Sequence, residues 1–351
     1  MKRLLMAASI IGVSATAQAV PLDLTGQPYA TYGNVNSYAL PILAALNGYG
    51  SGPGSPYYIA SGPGQIANGV VIYTGANGQN VTINPDGFDN AYLTPSGSHP
   101  QYASISGAVN VTSPGDKAGI ANNDANTWDA NVASLRSLLG TGNPLFFFNN
   151  NETNSDPTLA IWAKLWITNS TGGLYCGTTA CGVNGNNSGY LYLSNQGQVF
   201  NTTNININGD ATAYNGGNIT QPQAGTSYST GGTDYVQSGF STGGFNLNLG
   251  ANQAAYAADV PLLDQWLQEL YGTGDNLNNY TVHLDLKLGC NTDPSLGSVW
   301  SNCTGVQIDN GYEQLFLASS TANFNNVPEP GVLGLLGLSL LGLAALRVRN
   351  R

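Results

Sequence analysis

Two histidines, four cysteines and nineteen acidic residues hold most of the reactive chemistry of this 351-residue chain. His99 stands in Ser98-His99-Pro100, a turn, and His283 on the polar side of an alternating stretch. A hydroxyl nucleophile needs a base such as histidine within hydrogen-bond reach, and a carboxylate behind that base. Both histidines are read as surface residues, so no catalytic residue is assigned. A glycosidase needs two carboxyl groups about 5–10 Å apart across a cleft, and nineteen acids allow many pairs without singling one out. The 19 tyrosines and 5 tryptophans can stack on sugars, but on strands such as 159–168 such rings more often fill a core. Oxygen-rich stretches occur at Asp124-Ala125-Asn126, from Asn149 to Asp156 and from Asp275 to Asn279. None has the ligand spacing of a calcium loop, and helix caps and Asx-turns account for them, so no metal or cofactor is expected.

The elements that would position these groups are mostly strands. Apolar or alternating runs at 70–73, 81–84, 105–112, 145–149, 159–168, 190–193, 245–249, 281–288 and 312–317 predict short strands. The clearest is Thr281–Leu288. Val282, Leu284, Leu286 and Leu288 share one face, and Thr281, His283, Asp285 and Lys287 the other, the pattern of a strand with one wet side. Two amphipathic helices are expected. One is capped by Asp124 and carries Trp128, Val132, Leu135 and Leu139 to a stop at Gly140. The other is capped by Asp259 and carries Leu262, Leu263, Trp266, Leu267 and Leu270 to Gly272. Ser-Gly-Pro-Gly recurs at 51–54 and 61–64, and Ser-Thr-Gly-Gly at 229–232 and 241–244, as turns and not as a sustained repeat. These signals predict a mainly β fold, an antiparallel β-sandwich with about two short helices, over residues 20–326.

Composition excludes one class of partner. Charged residues make up 8% of the chain, and the formal net charge is −10. Lys2, Arg3, Arg347, Arg349 and Arg351 lie at the extreme ends, which leaves Lys117, Arg136, Lys164 and Lys287 against all nineteen acids. Such a body repels phosphate, so no nucleic-acid partner is expected. Several Asn-x-Ser/Thr sequons, at Asn80, Asn151, Asn169 and Asn201, follow from the abundance of Asn and Thr. Few lysines and many small neutral polar side chains suit a hydrated exterior facing polysaccharide.

Both ends read as addresses. Met1-Lys2-Arg3, an apolar run over 4–13 and Ala17-Gln18-Ala19 form the basic, apolar and small-residue parts of a secretory signal peptide over 1–19, cut after Ala19. The cysteines fit an oxidising destination. Cys176 and Cys181 are close in sequence, as are Cys290 and Cys303, and those two local disulfides are the simplest of three pairings. At the other end, residues 331–346 are apolar apart from Ser339, and Arg347, Arg349 and Arg351 follow. A helix of that length spans roughly 24 Å, enough for a short transmembrane segment held by its arginines on the cytoplasmic side. Val327-Pro328-Glu329-Pro330 stands just before it.

A Pro-Glu-Pro motif, an apolar helix and a basic tail in that order resemble the PEP-CTERM sorting signal, here over 327–351. The resemblance implies a Gram-negative, exopolysaccharide-producing source. It also implies an inner-membrane-anchored intermediate, processed by an exosortase and passed to the cell surface or the biofilm matrix. Val327, Pro328, Glu329 and Pro330 would be read by that enzyme. The expectation for the body is a non-enzymatic surface or matrix protein associated with exopolysaccharide. The alternatives are a secreted carbohydrate-active hydrolase with paired carboxylates, or a calcium-dependent adhesin or lectin-like module.

Overall fold

The computed structural model describes residues 22–62, 65–66, 68–75, 82–94, 102–112, 117–151, 159–178, 181–182, 188–193, 199–201, 236–238, 247–250, 252–289, 308 and 313–324. In chain order the elements begin with β1 (Tyr29–Tyr32), β2 (Val35–Ala39), α1 (Leu40–Leu46), β3 (Gly69–Gly75), β4 (Tyr92–Thr94) and β5 (Tyr102–Ser104). The middle of the chain supplies β6 (Trp128–Asn131), α2 (Val132–Leu139), β7 (Pro144–Phe148), β8 (Leu159–Asn169), β9 (Leu174–Tyr175) and β10 (Tyr190–Leu193). Then come β11 (Val199–Asn201), β12 (Val236–Ser238), β13 (Tyr256–Asp259), α3 (Pro261–Thr273), β14 (Tyr280–Gly289) and β15 (Leu315–Ser319).

Two sheets result. The larger runs β11-β1-β2-β13-β7-β15-β3-β4, antiparallel except where β3 meets β4. The smaller runs β10-β8-β14-β5, with β9 and β12 also on β8 and β6 also on β14. Side chains alternate across each strand. In the larger sheet Val70, Ile72, Phe146, Phe148, Leu315 and Leu317 face one cluster, shared with Ile161, Leu165, Ile167, Val282 and Leu284 of the smaller sheet. Leu135 of α2 and Trp266 and Leu270 of α3 complete that core. The opposite face of the larger sheet is dry as well. Val71, Leu145, Phe147 and Phe316 pack with Leu40 and Leu43 of α1 and with Tyr57 and Ile59. Burial on both faces explains why Pro144–Phe148 and Leu315–Ser319 read as unbroken apolar runs.

The mainly β expectation holds, with differences. There are three α-helices among the described residues, and one strand pair is parallel. Asp124 does not cap a helix. Trp128 belongs to β6, drawn into strand by pairing with β14, and α2 starts four residues later under Asn131, whose Oδ1 accepts from the amides of Ala133 and Ser134. Asp259 ends β13, and α3 is entered through Val260 with Pro261 in its first turn. Residues 82–84 form no strand, 106–108 form a 3-10 turn, and 247–249 form no strand. The expected segments at 1–19 and 327–351 lie outside the described residues. Among the described residues no helix is long and apolar enough to cross a membrane.

Phe147 is fully buried at the centre of the second core layer, its ring 5.1 Å from that of Phe316 and 4.8 Å from that of Phe324. Phe147→Ala should lower unfolding free energy by about 3–5 kcal/mol, because β7 is held on both faces and cannot collapse into the void. Urea denaturation measures this, and a loss below about 1 kcal/mol would show that the layer is dispensable.

Candidate functional site: the outer face of the smaller sheet

The register of β8 against β14 sorts the chemistry of this chain. Leu288 pairs with Ile161 and Tyr280 with Asn169, and every second pair turns its side chains away from the core. On that outer face Lys287 lies opposite Trp162, Asp285 opposite Lys164, His283 opposite Trp166 and Thr281 opposite Thr168. The neighbouring strand β10 adds Tyr190 opposite Trp166 and Tyr192 opposite Lys164. β6 places Asp129 opposite His283 from the other side.

One part of this face is closed. His283 donates through Nδ1 to Asp129 Oδ1 at 2.7 Å, and its Nε2 lies 2.7 Å from the Thr168 hydroxyl. In the neutral ring this network assigns the proton to Nδ1 and makes Nε2 the acceptor. Asn122 Nδ2 donates to the same hydroxyl oxygen at 2.9 Å. Asp129 also accepts from the Thr127 hydroxyl at 2.6 Å and the Asp124 amide at 2.6 Å. The order hydroxyl, imidazole, carboxylate is that of a nucleophile with its base and orienting acid. Thr168, His283 and Asp129 are only 4%, 1% and 0% exposed, however, so the hydroxyl has no room for a substrate and the row is a satisfied internal network. The expectation of a surface His283 is therefore corrected. The segment around Ser106 and Asn122 covers a strand face that alternation alone marks as wet.

The cover is itself pinned by a second carboxylate. Asp89 accepts from the backbone amides of Asp129 at 3.0 Å and Lys117 at 2.9 Å, and its carbonyl takes the Trp128 indole N–H at 3.1 Å. Lys117 Nζ is used up on the Asn84 and Pro85 carbonyls. Burial, reinforced by the nearby Asp129 charge, pushes the Asp89 carboxyl up to about 7 against its amide donors. Gly87, at φ 85°, lets this turn lie against α2, since a Cβ there would strike the Ser134 side chain.

The other part of the face is half-open at Lys164, Trp166, Tyr190, Tyr192 and Lys287, whereas Trp162 beneath Lys287 is buried, 7% exposed. The Lys164 ammonium sits 4.4 Å from the Trp166 ring centre and 5.0 Å from that of Tyr190, and Lys287 sits 4.5 Å from Trp162. Trp162 neighbours Tyr192 at 6.1 Å, and Trp166 stacks on His283 at 5.1 Å with 21° between the planes. The closed network thus fixes the ring on which the open ladder begins. Asp285, between the lysines, is raised by burial against the pull of Lys287 and Lys164.

The structure brings together one carboxyl pair that sequence did not single out. Asp259 and Asp264 lie side by side where β13 meets α3, with Asn36 near Asp259 and Asn143 near Asp264. Burial, then the Asp259 charge, raises Asp264 to about 9, and burial raises Asp259 too. Two carboxyls in such close contact lack the roughly 5 Å or more that flank a glycosidic bond.

The other expected residues fall as follows. Cys176 and Cys181 form a disulfide, with Cα atoms 5.2 Å apart. Cys290, Cys303 and His99 lie outside the described residues, as do Ala17, Ala19, Val327, Pro328, Glu329, Pro330, Arg347, Arg349 and Arg351. Asp124 closes an Asx-turn onto the Asn126 amide at 3.0 Å, and Asp275 accepts from the Tyr280 hydroxyl. Among the described residues no three His, Cys, Asp or Glu side chains group as a metal site. Gly239-Phe240-Ser241-Thr242-Gly243, which was not among the expected motifs, has the spacing of a nucleophile elbow and lies outside the described residues.

Asp89, Asp259, Asp264 and Asp285 all bind their protons more tightly in the fold than in an unfolded chain. Their stabilising contribution is complete below the ordinary carboxylate range near 4 and is lost as pH rises, through about 7 for Asp89 and about 9 for Asp264. The urea midpoint should therefore fall between pH 6 and pH 9, and Asp264→Asn should flatten the upper part of that decline. A midpoint that rises over this range would contradict the assignment.

Comparison with known proteins places two stretches. No curated protein and no solved structure matches the chain. Residues 326–350 match the PEP-CTERM protein-sorting motif, which implies an exported protein sorted by an exosortase through a membrane-anchored intermediate. Residues 20–287 match a domain family of unknown function, DUF8239. The fold reaches past that match, because β15 lies in the middle of the larger sheet between β7 and β3. Matching over most of its length, the chain belongs to the DUF8239 family.

Proposed function

We propose that the protein is a non-enzymatic component of the cell surface or extracellular matrix, which associates with polysaccharide through the half-open part of the smaller sheet. The observation that supports this most is the placement of the half-buried rings of Trp166, Tyr190 and Tyr192 on one face, outside the core that their strands otherwise fill. Aromatic rings fixed on a sheet offer apolar area at little conformational cost, which suits the C–H faces of sugars. The sorting motif supports the setting, since it implies export through a membrane-anchored intermediate. Among the described residues the nearest thing to a catalytic row, Thr168–His283–Asp129, is enclosed.

Co-sedimentation of the mature secreted protein with extracellular polysaccharide of the producing cells tests this. Retention is expected without release of reducing sugar, and chelation of divalent metals should leave it unchanged. Polymer breakdown, or loss of binding on chelation, would favour the hydrolase or the calcium-dependent adhesin instead. For sorting, Glu329→Ala should block processing while the precursor still inserts in the membrane, because the apolar run 331–346 is untouched. Gel mobility and mass spectrometry of the membrane and released fractions read this out. Released material ending at Arg351 would contradict the sorting role.

A further inference from the structure

We infer that the polysaccharide is acidic, a polymer bearing carboxylates such as a polyuronate, and that Lys164 and Lys287 select it. This rests on the reading of the smaller sheet as the polysaccharide face. Between the chain's basic ends there are four cations, set against nineteen acids. Two are committed elsewhere: Lys117 to the Asn84 and Pro85 carbonyls, and Arg136 to the Tyr271 ring, 4.9 Å away. The other two share the outer face of the smaller sheet, Lys164 on β8 and Lys287 on β14. Among the described residues neither forms an ion pair, and both ammonium groups rest on ring faces.

A protein of net charge −10 repels a polyanion everywhere else, so an acidic polymer can settle only where cations gather. This face is such a place. Lys164 and Trp166 stand two residues apart on β8 with Tyr190 opposite Trp166, all half-buried, and Lys287 reaches the same face over the buried Trp162. An acidic sugar presents the matching pair of surfaces, a C–H face for a ring and a carboxylate for an ammonium group. Asp285 offsets part of the lysine charge, which suits spaced carboxylates better than the dense phosphates of a nucleic acid.

The test is affinity electrophoresis of the mature protein through gels containing alginate, neutral dextran or dextran sulfate, at two salt concentrations. Retardation by alginate, at least tenfold tighter than by dextran and weakened by salt, is expected. Lys164→Gln with Lys287→Gln should abolish the alginate preference, whereas Lys164→Arg with Lys287→Arg should retain it. Circular dichroism verifies that both double variants are folded. Equal retardation by alginate and dextran, unchanged in the glutamine variant, would overturn the acidic specificity and leave the polysaccharide reading standing. Retardation by dextran sulfate alone would reduce the site to general charge attraction and overturn the inference. No retardation by any polymer, together with no co-sedimentation, would overturn both.

Discussion

A carboxylate with almost no solvent around it must be met by donors on every side, and Asp129 imposes that demand at the centre of the smaller sheet. Its oxygens take the His283 imidazole, the Thr127 hydroxyl and the Asp124 amide, and its own backbone amide goes to Asp89. Removing any one of these leaves a buried polar group without its partner, at a cost of about 1–3 kcal/mol. The demand therefore reaches well beyond one residue. It fixes where the 117–127 segment crosses the sheet, which way His283 turns, and how Thr168 and Asn122 complete the row.

From there the effect passes outward through packing. His283 is the plate on which Trp166 stacks, and Trp166 with Tyr190 carries Lys164. One face thus joins a closed hydrogen-bonded half to a half-open ladder of rings and ammonium groups. The closed half has the order of a catalytic relay without access for a substrate. The half-open part carries half-buried rings and ammonium groups, on which the proposed binding rests. A relay-like order of residues is, by itself, a statement about hydrogen-bond satisfaction, and exposure decides whether it can act on a ligand.

Much of the fold was legible because alternation and loop spacing are local. The strands at Leu159–Asn169, Tyr190–Leu193 and Tyr280–Gly289 show it, and so does the close spacing of Cys176 and Cys181. What escaped was set by distant partners. Thr281, His283 and Asp285 read as a wet face because nothing near them in sequence announces the cover that Ser106 and Asn122 provide. Trp128 fell on the helical stripe of Val132 and Leu135 by spacing, but pairing with β14 outweighs a weak helical preference. The Asp259–Asp264 pair was hidden for another reason: the turn from β13 into α3 decides that two acids five residues apart meet, whereas Asp259 read as the cap of that helix. The ladder was half-legible, since the aromatic and lysine residues were visible while the side of the sheet they occupy was not.

The face as a whole is the claim on which the account stands, and the tryptophans report on it separately. Indole N–H signals of the half-buried Trp166 and of Trp162, 7% exposed beneath Lys287, come from the ladder, whereas Trp128 and Trp266 are 1% and 2% exposed within the shared core. In a two-dimensional proton–nitrogen NMR titration with a short uronate oligosaccharide, the Trp162 and Trp166 signals should move together and saturate, while those of Trp128 and Trp266 stay in place. Shifts at Trp128 or Trp266 with Trp162 and Trp166 unmoved would contradict the assignment of this face as the binding surface.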